Sequence, residues 1–141
     1  MIRVSLSGTK ALESALKKLD AGLTKGVDAE MQATIADINT AQKQLAPVDF
    51  GLLRSSLKIV PNLPPLHKAV VSTGPGSSYA PYQEFGTGGL ATIPAGLEAE
   101  AALYKGSGKR NINMRAQPFF FAPAFREWKE LVKRIEIMLK K

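Results

Sequence analysis

The chain has 141 residues, enough for one hydrophobic core that removes roughly two-thirds of the unfolded chain's surface from water. Hydrophobic residues make up 45% and charged residues 22%, which is the balance of a globular domain and argues against intrinsic disorder. Net charge is +7 and cysteine is absent, so disulfide frameworks, thiolate metal sites and cysteine nucleophiles are excluded, while long-range attraction to polyanions is permitted.

Ile2, Val4 and Leu6 alternate with Arg3 and Ser5, the period of a short half-buried strand that stops at Ser7-Gly8. Thr9 can then cap a helix whose apolar positions, Leu12, Leu16, Leu19, Leu23, Val27, Met31, Ile35, Ile38 and Leu45, recur mostly at three or four residues. Gly22 and Gly26 each weaken that helix by roughly 1 kcal/mol against alanine, which favours a break near Gly22. Pro47 pushes Ala46 out of the helical region and ends it. Short β-like runs at 57–60 and 68–73 flank a proline-rich segment that cannot donate a regular ladder, so they predict a hairpin with a long loop.

Residues 79–85 read as a third strand between glycine-rich turns, with Pro81 marking an edge or a bulge. Pro94 can start a short helix over 95–104, ended by the glycines at 106 and 108. Residues 86–117 thus form a long excursion, and such excursions are usually functional or mobile. The last helix places Phe125, Trp128, Val132, Ile135 and Leu139 on one face, with Glu130 and Arg134, then Glu136 and Lys140, paired outside. Helices at both ends and strands between them predict one α+β domain over 1–141, with helices covering one face of an antiparallel sheet. No run of about 18 apolar residues occurs and no signal-peptide core precedes the first strand, so a cytoplasmic protein without a membrane partner is expected.

Three segments carry candidate functional residues. In Ala46-Pro-Val-Asp-Phe-Gly-Leu-Leu-Arg-Ser-Ser56, Asp49 can cap a helical turn, Gly51 gives room for close packing, and Arg54 is suited to a forked contact with a carboxylate such as Glu84, in the same subunit or a neighbour. In Tyr79-Ala-Pro-Tyr-Gln-Glu-Phe-Gly-Thr87, a strand would place Tyr79 and Phe85 on one face and Tyr82 and Glu84 on the other. Glu84 as a general acid or base lacks a motif-linked partner, and Gly86-Thr-Gly-Gly89 lacks the spacing of a phosphate loop, so it reads as a turn. In Pro118-Phe-Phe-Phe-Ala-Pro-Ala124, the aromatics fit either a stacking platform for nucleic acid or a core, and core packing is the expectation. His67, the only histidine, has no metal-ligand spacing around it; no metal and no cofactor is expected.

Lys105, Lys109, Arg110 and Arg115 fall in one stretch without an acidic residue, whereas residues 1–46 nearly balance basic against acidic side chains. This stretch is the candidate DNA-facing segment and supports a rival reading, a nonspecific nucleic-acid-binding module. A small hydrolase using Asp49 and Glu84 is a further rival, which needs the two carboxylates close together.

In combination and order, the three segments resemble those of the small head-tail joining and tail-completion proteins of long-tailed bacteriophages. Asp49, Gly51, Arg54 and Ser56 match the first element; Tyr79, Tyr82, Glu84, Phe85, Gly86 and Thr87 the second; Pro118, Phe119 and Pro123 the third. Phe50 departs from the family, which usually has threonine there. The resemblance implies an α+β fold in which a curved antiparallel sheet is flanked by a long N-terminal helix and a C-terminal helix. It implies a homo-oligomeric ring, commonly of six copies, at the neck of the virion, assembled in the bacterial cytoplasm. Its partners would be connector, tail-terminator or tail-tube proteins, with DNA passing through, no active site, and the matched residues serving structure or interfaces.

Overall fold

The computed structural model describes residues 3–5, 21–48, 51–104 and 112–140. Helix α1 (Ala21–Leu45) is 25 residues long and runs through Gly26; it is described from Ala21, so a break on the N-terminal side of Gly22 lies outside the described residues. Gly26 lies where the C-terminal helix comes close: a Cβ there would stand 3.3 Å from the Met138 sulfur. The inward stripe of α1 is Val27, Met31, Ile35 and Ile38, all buried, and it continues at helical spacing into Gln42. Leu45, expected on that stripe, is half exposed, because the next inward position after Gln42 is Ala46. Pro47 then ends the helix as predicted.

The short helix α2 (Leu52–Ser56) leads directly into β2 (Leu57–Ile59), which pairs antiparallel with β3 (Ala69–Ser72). Leu57 faces Ser72 and Ile59 faces Val70 in this register. Strand β1 (Arg3–Ser5) pairs with the other edge of β3, also antiparallel, giving the order β1-β3-β2. The hairpin and its long loop are therefore as the sequence predicts. That loop is tethered to α1: Asp28 Oδ1 accepts the Leu66 N–H at 2.8 Å and the Lys68 Nζ at 2.7 Å. The tether holds Leu66 buried although its backbone is left-handed, at φ 64°.

Residues 79–85 are not a strand. A 3-10 turn (Pro75–Ser78) runs into helix α3 (Ala80–Phe85), with Pro81 in its first turn, where a missing N–H costs no helical bond. Its buried residues are Ala80, Pro81, Glu84 and Phe85, a helical and not an alternating pattern. A second 3-10 turn (Gly88–Leu90) and the short helix α4 (Glu98–Ala102) follow, and α4 is held to the core by Leu97 and Ala101.

Helix α5 (Phe121–Leu139) closes the fold by packing along α1. Its inward face is Phe121, Ala124, Leu131 and Ile135, with Trp128 and Met138 partly buried. Phe125, Val132 and Leu139, expected in the core, are exposed. Glu130 pairs with Lys133 at 2.8 Å, while Arg134 turns to α1, where its Nε donates to Glu30 at 3.0 Å and its second guanidinium nitrogen to the Thr34 hydroxyl at 2.7 Å. The architecture is α+β, with a long N-terminal helix, an antiparallel sheet and a C-terminal helix.

The Asp28 tether yields a pH-dependent prediction. Partial burial raises the Asp28 carboxyl, but the Lys68 hydrogen bond, the Leu66 N–H and the Lys68 charge outweigh it and hold the group below its ordinary 3.8. A depressed folded-state value contributes stability above the unfolded value that is lost as pH falls through the folded one. Asp28→Asn should therefore destabilise the protein by about 1 kcal/mol at pH 7. In urea titrations the difference from wild type should shrink once the pH is lowered below about 4.

Candidate functional site

The second and third motif segments meet at one side chain. Helix α3 turns Glu84 inward to 1% exposure, and the three successive backbone amides that open α5 converge on its carboxylate. Oε2 accepts the N–H of Phe119 at 2.7 Å and of Phe120 at 2.9 Å, and Oε1 accepts that of Phe121 at 3.1 Å. Those of Phe120, the N-cap, and Phe121 are donors that a helix start cannot satisfy internally, Phe119 directly precedes them, and the N-cap side chain makes no capping bond. The negative group also lies at the positive end of a 19-residue helix, where the backbone dipoles favour it.

Phe120 is fixed from its other side as well, because its carbonyl accepts the Gln42 Nε2–H at 2.9 Å. One residue thus joins α1, α3 and α5 through buried hydrogen bonds. The aromatic rings reinforce the junction. Phe85 stacks on Phe121 at 5.9 Å between centroids, and Phe120 meets Phe119 and Phe121 edge-on. Phe119 and Phe120 are fully buried, so the run is core and not a platform for bases.

Gly86 and Thr87 extend the junction. Gly86 has φ 72°, and a Cβ there would lie 2.6 Å from the Met114 carbonyl oxygen, so only glycine fits both the conformation and the space. Beside it, the Thr87 N–H donates to the Met114 carbonyl at 2.8 Å and the Met114 N–H to the Thr87 hydroxyl at 3.0 Å. The Gln117 N–H closes on the Gln83 carbonyl at 2.7 Å. The 86–117 excursion is thereby clasped at its base against the end of α3.

The first segment has a separate role. Gly51 precedes α2 at φ 69° with nothing within 4 Å of a Cβ position, so conformation and not close packing requires glycine there. Ser56 is buried and its hydroxyl lies 2.8 Å from that of Ser72, tying the end of α2 to the central strand. Arg54 is exposed and has no ion-pair partner among the described residues. The expected Arg54–Glu84 pair is not formed within the chain. Nor can a neighbour supply it, because the Glu84 oxygens are occupied and sealed from solvent.

Of the other candidates, Tyr79 packs against the core, Phe85 and Pro123 are buried, and Tyr82, Pro118 and Arg115 are exposed. Asp49, Lys105, Lys109 and Arg110 lie outside the described residues. Sequence reasoning missed Gln42 and the Phe120 backbone. The available signal was a polar residue standing four positions after Ile38 on an otherwise apolar stripe.

Chemically, a carboxylate that accepts three backbone N–H donors and is 1% exposed is not presented to a substrate from solvent. Among the described residues no cluster of histidine and acidic side chains is placed to hold a metal ion, and no helix is long and apolar enough to cross a membrane. What remains open to solvent is surface: the exposed face of α5 and the excursion with α4.

Among the described residues, the buried Ser56, Glu84, Phe85 and Phe119 and the strained Gly86 sit at the junctions of a small α+β fold and hold its elements together. Residues 10–86, more than half of the chain, match the model of the family described as "Bacteriophage HK97-gp10, putative tail-component". The chain belongs to this family of phage tail components, and as such it is a structural protein of the virion that meets other virion proteins. Comparison with curated proteins and with solved structures returns no match.

Replacing Glu84 tests the junction. Glu84→Gln keeps the shape but presents an amide N–H₂ where two oxygens accepted three amides, so it should lower stability by about 2 to 4 kcal/mol. Glu84→Ala, which strands all three N–H groups, should cost at least as much. Thermal unfolding followed by circular dichroism would show either loss, with the helical signal of α5 affected.

Proposed function

We propose that this protein is the subunit of a ring at the neck of a long-tailed phage, completing the connector or the tail end so that head and tail join and DNA passes through. Family membership over residues 10–86 is the observation that carries the reading. The matched segments support it, since Glu84, Gly86, Thr87 and Phe119 are invested in holding the fold and not in binding a substrate. Chain 1–141 acts as one domain and catalyses nothing. Six copies make the ring, its neighbours are connector, tail-terminator or tail-tube proteins, and assembly takes place in the bacterial cytoplasm.

The net charge of +7 and the exposed Arg115 favour a secondary, nonspecific contact with the DNA that passes, made by the 105–115 stretch. A lining of this kind binds weakly and loses affinity steeply with salt. Mobility shifts of duplex DNA should therefore be seen at about 50 mM salt and vanish near 200 mM, irrespective of sequence. Retention at the higher salt would favour the nucleic-acid-binding module instead.

In isolation the protein should be monomeric by light scattering at micromolar concentration, since its apolar stripes mostly serve its own core, and should form rings on its partner in assembled tails. Electron microscopy of tails lacking the protein should show particles unable to join heads, and antibody labelling should place it at the neck. Labelling along the tail shaft or at the distal tip would contradict the reading.

A further inference from the structure

We infer that the exposed stripe of α5 seats the 86–104 segment of a second copy of this chain, so that one subunit grips the next by two different surfaces. The inference rests on the ring proposed above and names its interface. Phe125, Val132 and Leu139 are 47%, 36% and 42% exposed. They recur every seven residues, so they form a line about 21 Å long on the helix surface. The inward face of α5 is complete without them. Phe125 stacks on Phe121 at 6.3 Å and carries the aromatic stack of the core out to the surface, where a shallow groove runs along Ala122, Phe125, Trp128 and Val132.

Charge selects the occupant. The groove is edged by Arg126, Lys129 and Lys133 against a single acid, Glu130. Arg126 and Lys133 are paired with Glu127 and Glu130, while Lys129 has no ion-pair partner among the described residues. Two such stripes facing each other would bring together surfaces that each carry a net positive charge from the uncompensated Lys129, which disfavours a symmetric pairing of α5 with itself. The 86–104 segment is the complement. It contains Glu98 and Glu100 and no basic residue, and it exposes Leu90, Ile93 and Leu103, the last at 78%. A contact between two unlike patches repeats from copy to copy and closes into a ring when the rotation allows.

The absence of cysteine makes the contact directly measurable. The double variant Leu103→Cys with Val132→Cys, oxidised both at high concentration and in assembled tails, should give a ladder of disulfide-linked oligomers ending in a closed ring. Either single variant should give no ladder. Lys129→Glu with Lys133→Glu should abolish the ladder, and adding Glu98→Lys with Glu100→Lys should restore it, with the melting temperature of the isolated chain unchanged throughout. Dimers from Val132→Cys alone would mean that α5 pairs with itself and would overturn the inference. A marked fall in the melting temperature of the charge variants would place the stripe inside its own chain and overturn it equally. Rings that form without a 103–132 disulfide would leave the ring standing and assign the groove to another virion protein. Tails that contain no ring of this chain would remove the ring reading and this interface together.

Discussion

Three backbone amides aimed at one buried carboxylate hold the ends of this fold together. The N-terminus of α5 exposes donors that must be satisfied if it is to be buried, and here the acceptor comes from α3, 35 residues earlier than Phe119. Neither half can be buried alone: without Glu84 the amides are orphaned, and without the amides a charge is stranded in the core. The adjoining Phe120 carbonyl draws in Gln42 and with it α1. Helices α1, α3 and α5 are thus positioned around a few atoms, and the glycine at 86 and the clasp at Thr87 set the excursion relative to that point.

Much of this was legible in the sequence where the period was long and the alternatives few. The α1 stripe, its end at Pro47 and the 57–73 hairpin all follow from apolar spacing and proline position. The failures have specific causes. Residues 79–85 are too few for periodicity to separate helix from strand, and the inward pair Glu84 and Phe85, adjacent in sequence, breaks the alternation a strand would need. In α5 two apolar stripes interleave: 121, 124, 128, 131, 135 and 138 point inward, and 125, 132 and 139 outward. Both satisfy helical spacing, so only the packing against α1 decides between them.

The role of Glu84 was legible only by half. Its segment stood out, and its commitment to structure was anticipated, but an exposed edge strand suggested a partner from outside. Burial inside a helix leaves backbone amides as its partners, and such donors carry no signature in a sequence. With Glu84 committed inside the fold, the surfaces proposed for assembly are the exposed stripe of α5 and the 86–104 segment.

The central claim is that the Glu84 carboxylate binds the start of α5 in the folded protein, and amide hydrogen exchange at Phe119, Phe120 and Phe121 reports on those donors directly. The account predicts that all three exchange only through global unfolding, with protection close to that of the buried amides of α1, and that Glu84→Gln selectively accelerates them relative to α1. Exchange of these three amides in the wild-type protein at the rate of exposed chain would show that the carboxylate does not hold the helix start, and would contradict the account.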